Sequence, residues 1–556
     1  MMIYRNALLV MVVFTATPAM ALEPGKWQEL FNGKDLTGWS PLIEKVAPGT
    51  DPAGHVVVRD GAIQMYADTP AGTMVPFGTI IHERMFARFH LSLEYAWGKE
   101  KFPPRHEAIR DAGLLYHIVD PVRPGAGIWP ESVECQIQEG DTGDIVPIGT
   151  KLLTWLNPEP AKAPEGQGIP GMLPEEGGVA EDFGKGKYVG RYPEADRLEG
   201  WNTVEAIVQA DESAVHKING VIRARLILMA DSKGQPLGSG KLGLQLEGAA
   251  IQYRNVRIRE LPEPLRVPAP YASMSAVRGI STGAMEIPVS NPGGGSVSLE
   301  VKLVGRDASS FSVVKTDSDT LGPNEKTSLK VTFKPTGKAG RYSAGLQIGP
   351  EDTGTFVILQ GLALDALEGE NEPPLERVVQ SLGIPLDVGG PALKLGTDAP
   401  VIGASKPARE FRRVGDGPVR LTPLARFSPP GIYPFGWQAS GESAVENVVG
   451  NLDDSAKIPD AHQRLFPPLA GAAASVEFAP GEGSFSLFVR AGKSTIGTDA
   501  RQHPNPLANP VRVYPVTRLQ GRRLENALLV CFEEASNGDY QDSVFLAENI
   551  AIADEP

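Results

Sequence analysis

The chain has 556 residues, enough for three or four domains that each bury a core of their own. With 62 glycines and 49 prolines against 7% aromatics, it favours many short strands joined by turns over long helices. Its 67 acidic and 53 basic side chains leave a formal charge of −14, which repels nucleic-acid phosphates and anionic membrane surfaces and sets both aside as partners.

Arg5, the apolar run 7–14 and Ala19-Met20-Ala21 form the n-region, h-region and small-x-small site of a signal peptide over residues 1–21. Export to the periplasm or the extracellular space is therefore expected. No later stretch approaches about 18 apolar residues, so no transmembrane segment is predicted. Cys135 and Cys531 fall in different predicted domains and read as two buried free thiols, since a bridge would need their Cα atoms within about 7 Å.

Residues 22–262 read as a first domain. Segments 89–95, 132–138, 202–208 and 242–246 alternate apolar and polar side chains, the pattern of antiparallel strands in a sandwich. Asn219-Gly220 between two such segments predicts a two-residue hairpin, because both central positions of a type I′ turn need positive φ. The Pro/Gly-rich stretch 157–200 has little periodicity and is expected to form a rim loop, with Arg191 and Tyr192 able to close over a ligand.

A second unit, 266–365, alternates at Val297, Leu299, Val301 and Leu303 and again at Leu329, Val331 and Phe333, with turn signals at Asn291-Pro-Gly-Gly-Gly295 and Gly322-Pro323. About 100 residues with this spacing suggest an immunoglobulin-like sandwich. Residues 366–376 are acidic and contain proline, the composition of a linker. Residues 377–556 read as a third β-sandwich, with strands at 484–489, 511–516 and 526–532. The turn Asn537-Gly-Asp-Tyr-Gln-Asp542 brings Asp539 and Asp542 three residues apart, candidate ligands for Ca²⁺, which needs six to eight oxygens; a plain Asn-Gly turn with solvated carboxylates is the competing reading.

Chemistry concentrates in the first domain. On 133–138 the period of two sends Val133, Cys135 and Ile137 to the core and Glu134, Gln136 and Gln138 to the opposite face. The same rule groups Trp201, Thr203 and Glu205 on one strand and Gln245 and Glu247 on another, so three strands offer carboxylates and amides that can share a surface. Asp111 and His117 share a face, but the six residues between them span about 20 Å of extended chain, so a carboxylate on a neighbouring strand, Glu134 or Glu205, is the better partner for His117. Phe31 and Trp39 pack the start of the sandwich, whereas Trp129 and Trp201, beside polar rows, are suited to stack on a pyranose ring. The eight histidines show no zinc spacing, and neither a phosphate-binding glycine loop nor a nucleophile elbow is present.

Several motifs occur in order: Phe31-Asn-Gly-Lys-Asp-Leu-Thr-Gly-Trp39, Arg110-Asp-Ala-Gly-Leu-Leu-Tyr-His117, Glu134-Cys-Gln-Ile137, Trp201-Asn202, Asn219-Gly220, Leu244-Gln-Leu-Glu-Gly248 and Tyr253-Arg-Asn-Val256. Through them the first domain resembles the 3-keto-disaccharide hydrolase domain family, which implies a concanavalin A-like jelly roll and a carbohydrate substrate. The middle unit resembles the ASPM-SPD-2-Hydin class of immunoglobulin-like domains through Phe311-Ser-Val313, Leu321-Gly-Pro323, Val331-Thr-Phe-Lys-Pro335, Gly340-Arg-Tyr342 and Gln360-Gly361. Such units act as spacers or binding modules. The stretch Gly538-Asp-Tyr-Gln-Asp542 is similar to calcium-associated C-terminal β-sandwich modules of secreted bacterial proteins.

The first resemblance implies cleavage of 3-keto-glycosides by hydrolysis, or by elimination followed by hydration. That chemistry needs a base for the acidified C2 proton, a donor to the enolate oxygen and an acid for the leaving group. His117 or Glu134 is the candidate base, Arg110 or Gln136 the oxyanion donor and a second carboxylate the acid, with Arg110, Asp111, Trp129, Trp201, Glu205 and Glu247 as candidate substrate contacts. A paired-carboxylate hydrolase using Glu134, Glu205 and Glu247 stays open on the same face. So does a non-catalytic glycan-binding or surface-adhesion protein whose jelly roll acts as a lectin. No cofactor is required by the sequence beyond the possible Ca²⁺.

Overall fold

The computed structural model describes residues 25–158, 168–184, 188–315, 318–441, 445–454, 460–471 and 473–553. The predicted signal peptide lies outside the described residues, as does part of the 157–200 stretch. The architecture is all-β and multidomain, with strands paired mostly antiparallel and gathered along the chain into three groups of sheets. No helix among the described residues is long and apolar enough to cross a membrane.

The first group is a pair of facing sheets. One has ten strands, with Arg88–Lys101 and Ala249–Glu260 near its middle; the other has eight and runs through Ile145–Ile148, Ser132–Gln138, Asp111–Ile118, Gly240–Leu246, Gly78–Phe86 and Trp39–Ile43. Alternation decides which side chains meet between them. Leu91, Leu93 and Tyr95 come from the first sheet, and Leu114, Cys135, Ile137 and Leu244 from the second, in one continuous core. Phe31 and Trp39 join that core, and the Trp39 indole N–H donates to the Leu30 carbonyl at 2.8 Å. Ser213–Ile218 and Val221–Ala230 form the hairpin expected at Asn219-Gly220, whose φ values are 50° and 81°. The 157–200 stretch is not simply a loop, since it contributes the strands Ile169–Pro170, Val179–Gly184 and Val189–Gly190 at the edges of both sheets.

The second group opposes a four-stranded and a three-stranded sheet around Leu329, Val331, Phe333, Leu346 and Val357. In the third, two six-stranded sheets enclose Phe411, Phe435, Phe485, Val530 and Phe545. Cys135 and Cys531 are both buried and free, in the first and third groups. The acidic segment before the third group is exposed only as far as Asn371; Glu372–Leu375 are buried and lead into the helix Leu375–Ser381. Leu375, Val378 and Val379 fall on one face of that helix and pack with Leu424, Leu529 and Leu546, which is what stabilises a helix too short to hold by itself.

The groups adhere through apolar contacts. Leu153, Trp155 and Ile227 of the first meet Val304, Phe356 and Ile358 of the second, with the Trp155 and Phe356 rings edge to face at 5.1 Å. The Lys217–Asp352 ion pair at 2.7 Å flanks this seam. Trp155 is 4% exposed, so Trp155→Ala is expected to cost about 3–5 kcal/mol. Guanidinium unfolding followed by circular dichroism should show the transition of these two groups moving to lower denaturant, and an unmoved transition would mean that the seam contributes nothing to stability.

Candidate active site

On the face of the eight-stranded sheet turned away from the core, the register sets Glu134 opposite Leu115, Gln136 opposite Gly113 and Gln138 opposite Asp111. Across the Asp111–Ile118 strand, Gly243 pairs with Leu115, so Gln245 follows on the same face. Gly113 is the opening that lets these side chains converge. A Cβ there would collide with both Glu134 Oε1 and Gln245 Oε1, which lean over it from the two neighbouring strands.

Three carboxyls gather around this gap. Arg105, in the connection leading to Asp111, reaches Asp111 Oδ2 at 2.7 Å through one terminal nitrogen and Glu247 Oε1 at 2.6 Å through the other. Glu134, 4% exposed, makes no ion pair among the described residues. Burial pushes its carboxyl well above the ordinary 4.5, the charges of Asp111 and Glu247 push the same way, and a hydrogen bond from Gln245 offsets part of the rise. Burial also raises Asp111 and Glu247, while Arg105 pulls both back. All three carboxyls are therefore pushed up, Asp111 to about 6 and Glu247 to about 8 with Arg105 pulling both back, and Glu134 well above its ordinary value, so Asp111 gives up its proton more readily than Glu247. Asp111 Oδ1 and Gln245 Oε1 are buried without a hydrogen-bond donor among the described residues.

The surroundings suit a sugar. Half-buried Trp129 lies parallel to Phe77, with ring centroids 6.3 Å apart and planes 8° from parallel, beside the apolar patch of Ile81, Leu115 and Ile148 on this same face. Phe77 abuts Gly248, next to Glu247. At the other end Gln138 donates to Asp141 Oδ2 at 2.9 Å, and the Tyr192 hydroxyl donates to Asp141 Oδ1 at 3.1 Å. Gln136 is on the face as expected, with its amide oxygen accepting the Ile137 N–H at 3.0 Å.

Other expected residues are elsewhere. Alternation assigns His117 to the polar face, but a β-bulge turns it inward. Lys241 pairs with Ile118 and Gly243 with Leu115, so the strand carrying His117 has one residue too many, and His117 takes a φ of 52°. Ile118 moves to the outer face, while His117 sits fully buried between the Phe89 and Tyr116 rings with Nε2 2.9 Å from the Ala210 carbonyl. Burial lowers its pKa to about 4, so it is neutral near pH 7. Glu205 and Trp201 belong to the outer face of the ten-stranded sheet. There Glu205 is 2.7 Å from His90 Nε2, and the Arg254 guanidinium covers the Trp201 ring at 3.8 Å. Arg110 lies at the rim, paired with Glu139 at 2.6 Å and 5.3 Å from the centre of the Trp97 ring. Arg105 and Phe77 carried no sequence signal; Gly113 did, as a glycine inside a strand pattern.

A second acidic group lies in the third group of sheets. Glu533 joins Asp539 and Asp542, and these three buried carboxylates have ligand oxygens all within 4.8 Å of one another, an arrangement able to hold a divalent ion.

Residues 26–259 match the model of the 3-keto-alpha-glucoside-1,2-lyase-like domain family. No curated protein matches the chain. Among solved structures, a putative glycosyl hydrolase from Parabacteroides distasonis ATCC 8503 is 20% identical, with 42% of this chain and 94% of that one covered at a TM-score of 0.25. A second putative glycosyl hydrolase from the same organism is 16% identical over 42% and 100%, at 0.24. A carbohydrate-binding module from Bacillus subtilis is 9% identical over 40% and 97%, at 0.23. Scores this low carry no functional weight. The family match makes residues 26–259 a jelly-roll-like domain of a carbohydrate-active kind.

A carboxyl whose folded pKa is raised contributes stability that is fully present below its unfolded value, here about 4.5, and that is lost as pH rises through the folded value. Glu134→Gln keeps the shape and removes the titration. The variant is expected to lose less stability than the parent as pH increases from about 5 to about 8, measured by denaturant unfolding across that range. Identical slopes would show that Glu134 is not held protonated.

Proposed function

We propose that the 26–259 domain of an exported protein cleaves the glycosidic bond of 3-keto-glycosides by elimination across C1–C2 followed by hydration. Support comes from the unequal carboxyl trio on one sheet face, where Asp111 and Glu247 share Arg105 and Glu134 makes no ion pair among the described residues. The family matched by these residues is described by that chemistry. In the same reading the 266–365 unit is an immunoglobulin-like spacer and the 377–556 unit a further β-sandwich.

The ketone at C3 acidifies the C2 proton. Asp111, ionised beside Arg105, takes that proton, and the electron pair moves onto the C3 oxygen as an enolate. As Asp111 becomes neutral it releases Arg105, whose charge then offsets the enolate. The pair returns to form C1=C2 while the C1–O bond to the leaving group breaks, and the departing oxygen takes the proton held by Glu134. Water then adds across C1=C2: its hydroxyl joins C1, Asp111 returns the proton to C2, and the remaining proton of the water restores Glu134. Trp129 and Phe77 provide the apolar wall against which the ring rests.

The test is turnover of a 3-keto-α-glucoside by the purified full chain. Asp111→Asn and Glu134→Gln are each expected to reduce kcat by about 10²–10⁴-fold, whereas His117→Gln, in the interior, should lower thermal stability and leave kcat close to the parent's. The parent's kcat/KM should rise as Asp111 ionises and decline as Glu134 loses its proton, and Glu134→Gln should lack the alkaline decline. Ligand retention with no turnover would replace the enzyme by a lectin. Equal cleavage of the unoxidised glucoside would replace elimination by a paired-carboxylate hydrolase.

A further inference from the structure

Three segments of the chain converge on an open cleft of about 550 Å³ beside the helix Leu375–Ser381. The turn between the strands Lys326–Phe333 and Gly340–Ile348 supplies Thr336 and Lys338, and the second of these strands supplies Arg341. The segment entering the short helical turn Ala308–Ser310 supplies Arg306 and Asp307, the turn itself Ser309, and the helix Arg377. The lining thus holds four cations and one carboxylate, in a chain whose formal charge is −14.

The wall is held in shape by contacts that leave this excess of positive charge in place. Asp307 accepts from Arg306 at 3.2 and 3.1 Å and from the Ser343 N–H at 2.8 Å, so the one carboxylate is engaged by the wall itself. The Tyr342 hydroxyl donates to the Lys338 carbonyl at 3.0 Å, and a Cβ at Gly337 would collide with that hydroxyl, so the turn carrying Lys338 closes against the strand. From the first group, Gly177 abuts Arg306, and Glu181 lies 3.6 Å from Arg341. Leu375, Val378 and Val379 anchor the other side of the helix, which leaves Arg377 exposed. Lys338 is exposed too, and neither it nor Arg377 makes an ion pair among the described residues. Like charges gathered in one concavity repel one another, and an anion seated among them relieves that repulsion.

We propose that this cleft binds an acidic polysaccharide through the carboxylates carried on its sugar rings. Guanidinium forks match carboxylates with paired hydrogen bonds, and the Ser309 and Thr336 hydroxyls can exchange hydrogen bonds with ring hydroxyls. At physiological ionic strength charges are screened over about 8 Å, so inside the cleft the nearby cations outweigh the acidic surface farther away. The lining does not suit the other common polyanions. Its aromatic ring, Tyr342, packs edge to face on Phe333 at 5.5 Å and offers no platform on which a base can stack. No aliphatic side chain larger than that of Ala339 lines the cleft, so nothing there can enter a lipid layer. The cleft belongs to the second group and the helix, apart from the carboxyl trio of the first, and its ligand does not depend on the cleavage chemistry.

Titration calorimetry of the full chain with a galacturonate oligomer should show binding at low salt that fades as salt is raised to about 0.5 M. Lys338→Gln combined with Arg377→Gln, two exposed positions outside the Arg306–Asp307 and Arg341–Glu181 pairs, should keep the parent's Tm and weaken that binding by about tenfold or more. Glu134→Gln should bind as the parent does. In the parent, saturating oligomer should also protect Lys338 from chemical acetylation, read by mass spectrometry. Undiminished binding by the double variant, or full acetylation of Lys338 under saturation, would overturn the proposal, and the second holds even if the variant failed to fold. Equal binding to vesicles rich in anionic phospholipid, lost in the same double variant, would overturn the assignment to a polysaccharide. None of these readouts depends on glycoside turnover, so this proposal and the catalytic one fail separately.

Discussion

The candidate active site depends on the close packing of one strand. Along Ser132–Gln138, Val133, Cys135 and Ile137 are locked into the core between the sheets, and their opposite neighbours have no choice of side. Glu134 is thereby held over the Asp111–Ile118 strand, and the missing side chain at Gly113 lets its carboxyl settle against Gln245. Sliding the strand by one residue would bury Glu134 and Gln136 in hydrocarbon and expose three apolar groups, so the core that stabilises the domain also fixes the position of the carboxyl.

Rigid placement explains why the three carboxyls differ in proton affinity. In a loose site, side chains would move apart and each would titrate near its ordinary value. Here Asp111, Glu134 and Glu247 come from three segments of a closed face, and the single guanidinium of Arg105 reaches only two of them. The asymmetry is built by the route of the 103–110 connection, which brings Arg105 to the Asp111 and Glu247 side and leaves Glu134 to amide hydrogen bonding.

The alternation rule made much of this legible in the sequence, including the polar row at Glu134, Gln136 and Gln138, the Asn219-Gly220 hairpin and the strand character of each group. It failed where one extra residue breaks the count. His117 stands two positions beyond Leu115 and would share its face in a regular strand, yet the bulge opposite Leu242 reverses it. Glu205 and Trp201 were misplaced for another reason. Alternation gives the face of a strand but not its sheet, and Asn202–Gln209 pairs with Arg88–Lys101 in the ten-stranded layer, far along the chain from any local signal. Arg105 shows the same limit through Glu247, which a distant strand brings to it, whereas Glu533 meets Asp539, Tyr540 and Asp542 within its own bend.

The two acidic clusters meet one physical problem with different means. Carboxylates that lose their water need protons, a fixed cation or a mobile one. In the first domain the Arg105 guanidinium lies against Asp111 and Glu247, and burial pushes all three carboxyls up, Asp111 to about 6 and Glu247 to about 8. In the Glu533–Asp542 bend no guanidinium or ammonium among the described residues makes an ion pair, and backbone N–H groups already occupy one oxygen of Glu533 and of Asp542. Those donors favour the ionised carboxylate, yet burial and the neighbouring carboxylates outweigh them, pushing Asp539 up to about 7 and Asp542 well above its ordinary value. The first cluster meets that cost with a guanidinium beside two of its carboxyls, whereas the second meets it with backbone and amide hydrogen bonds.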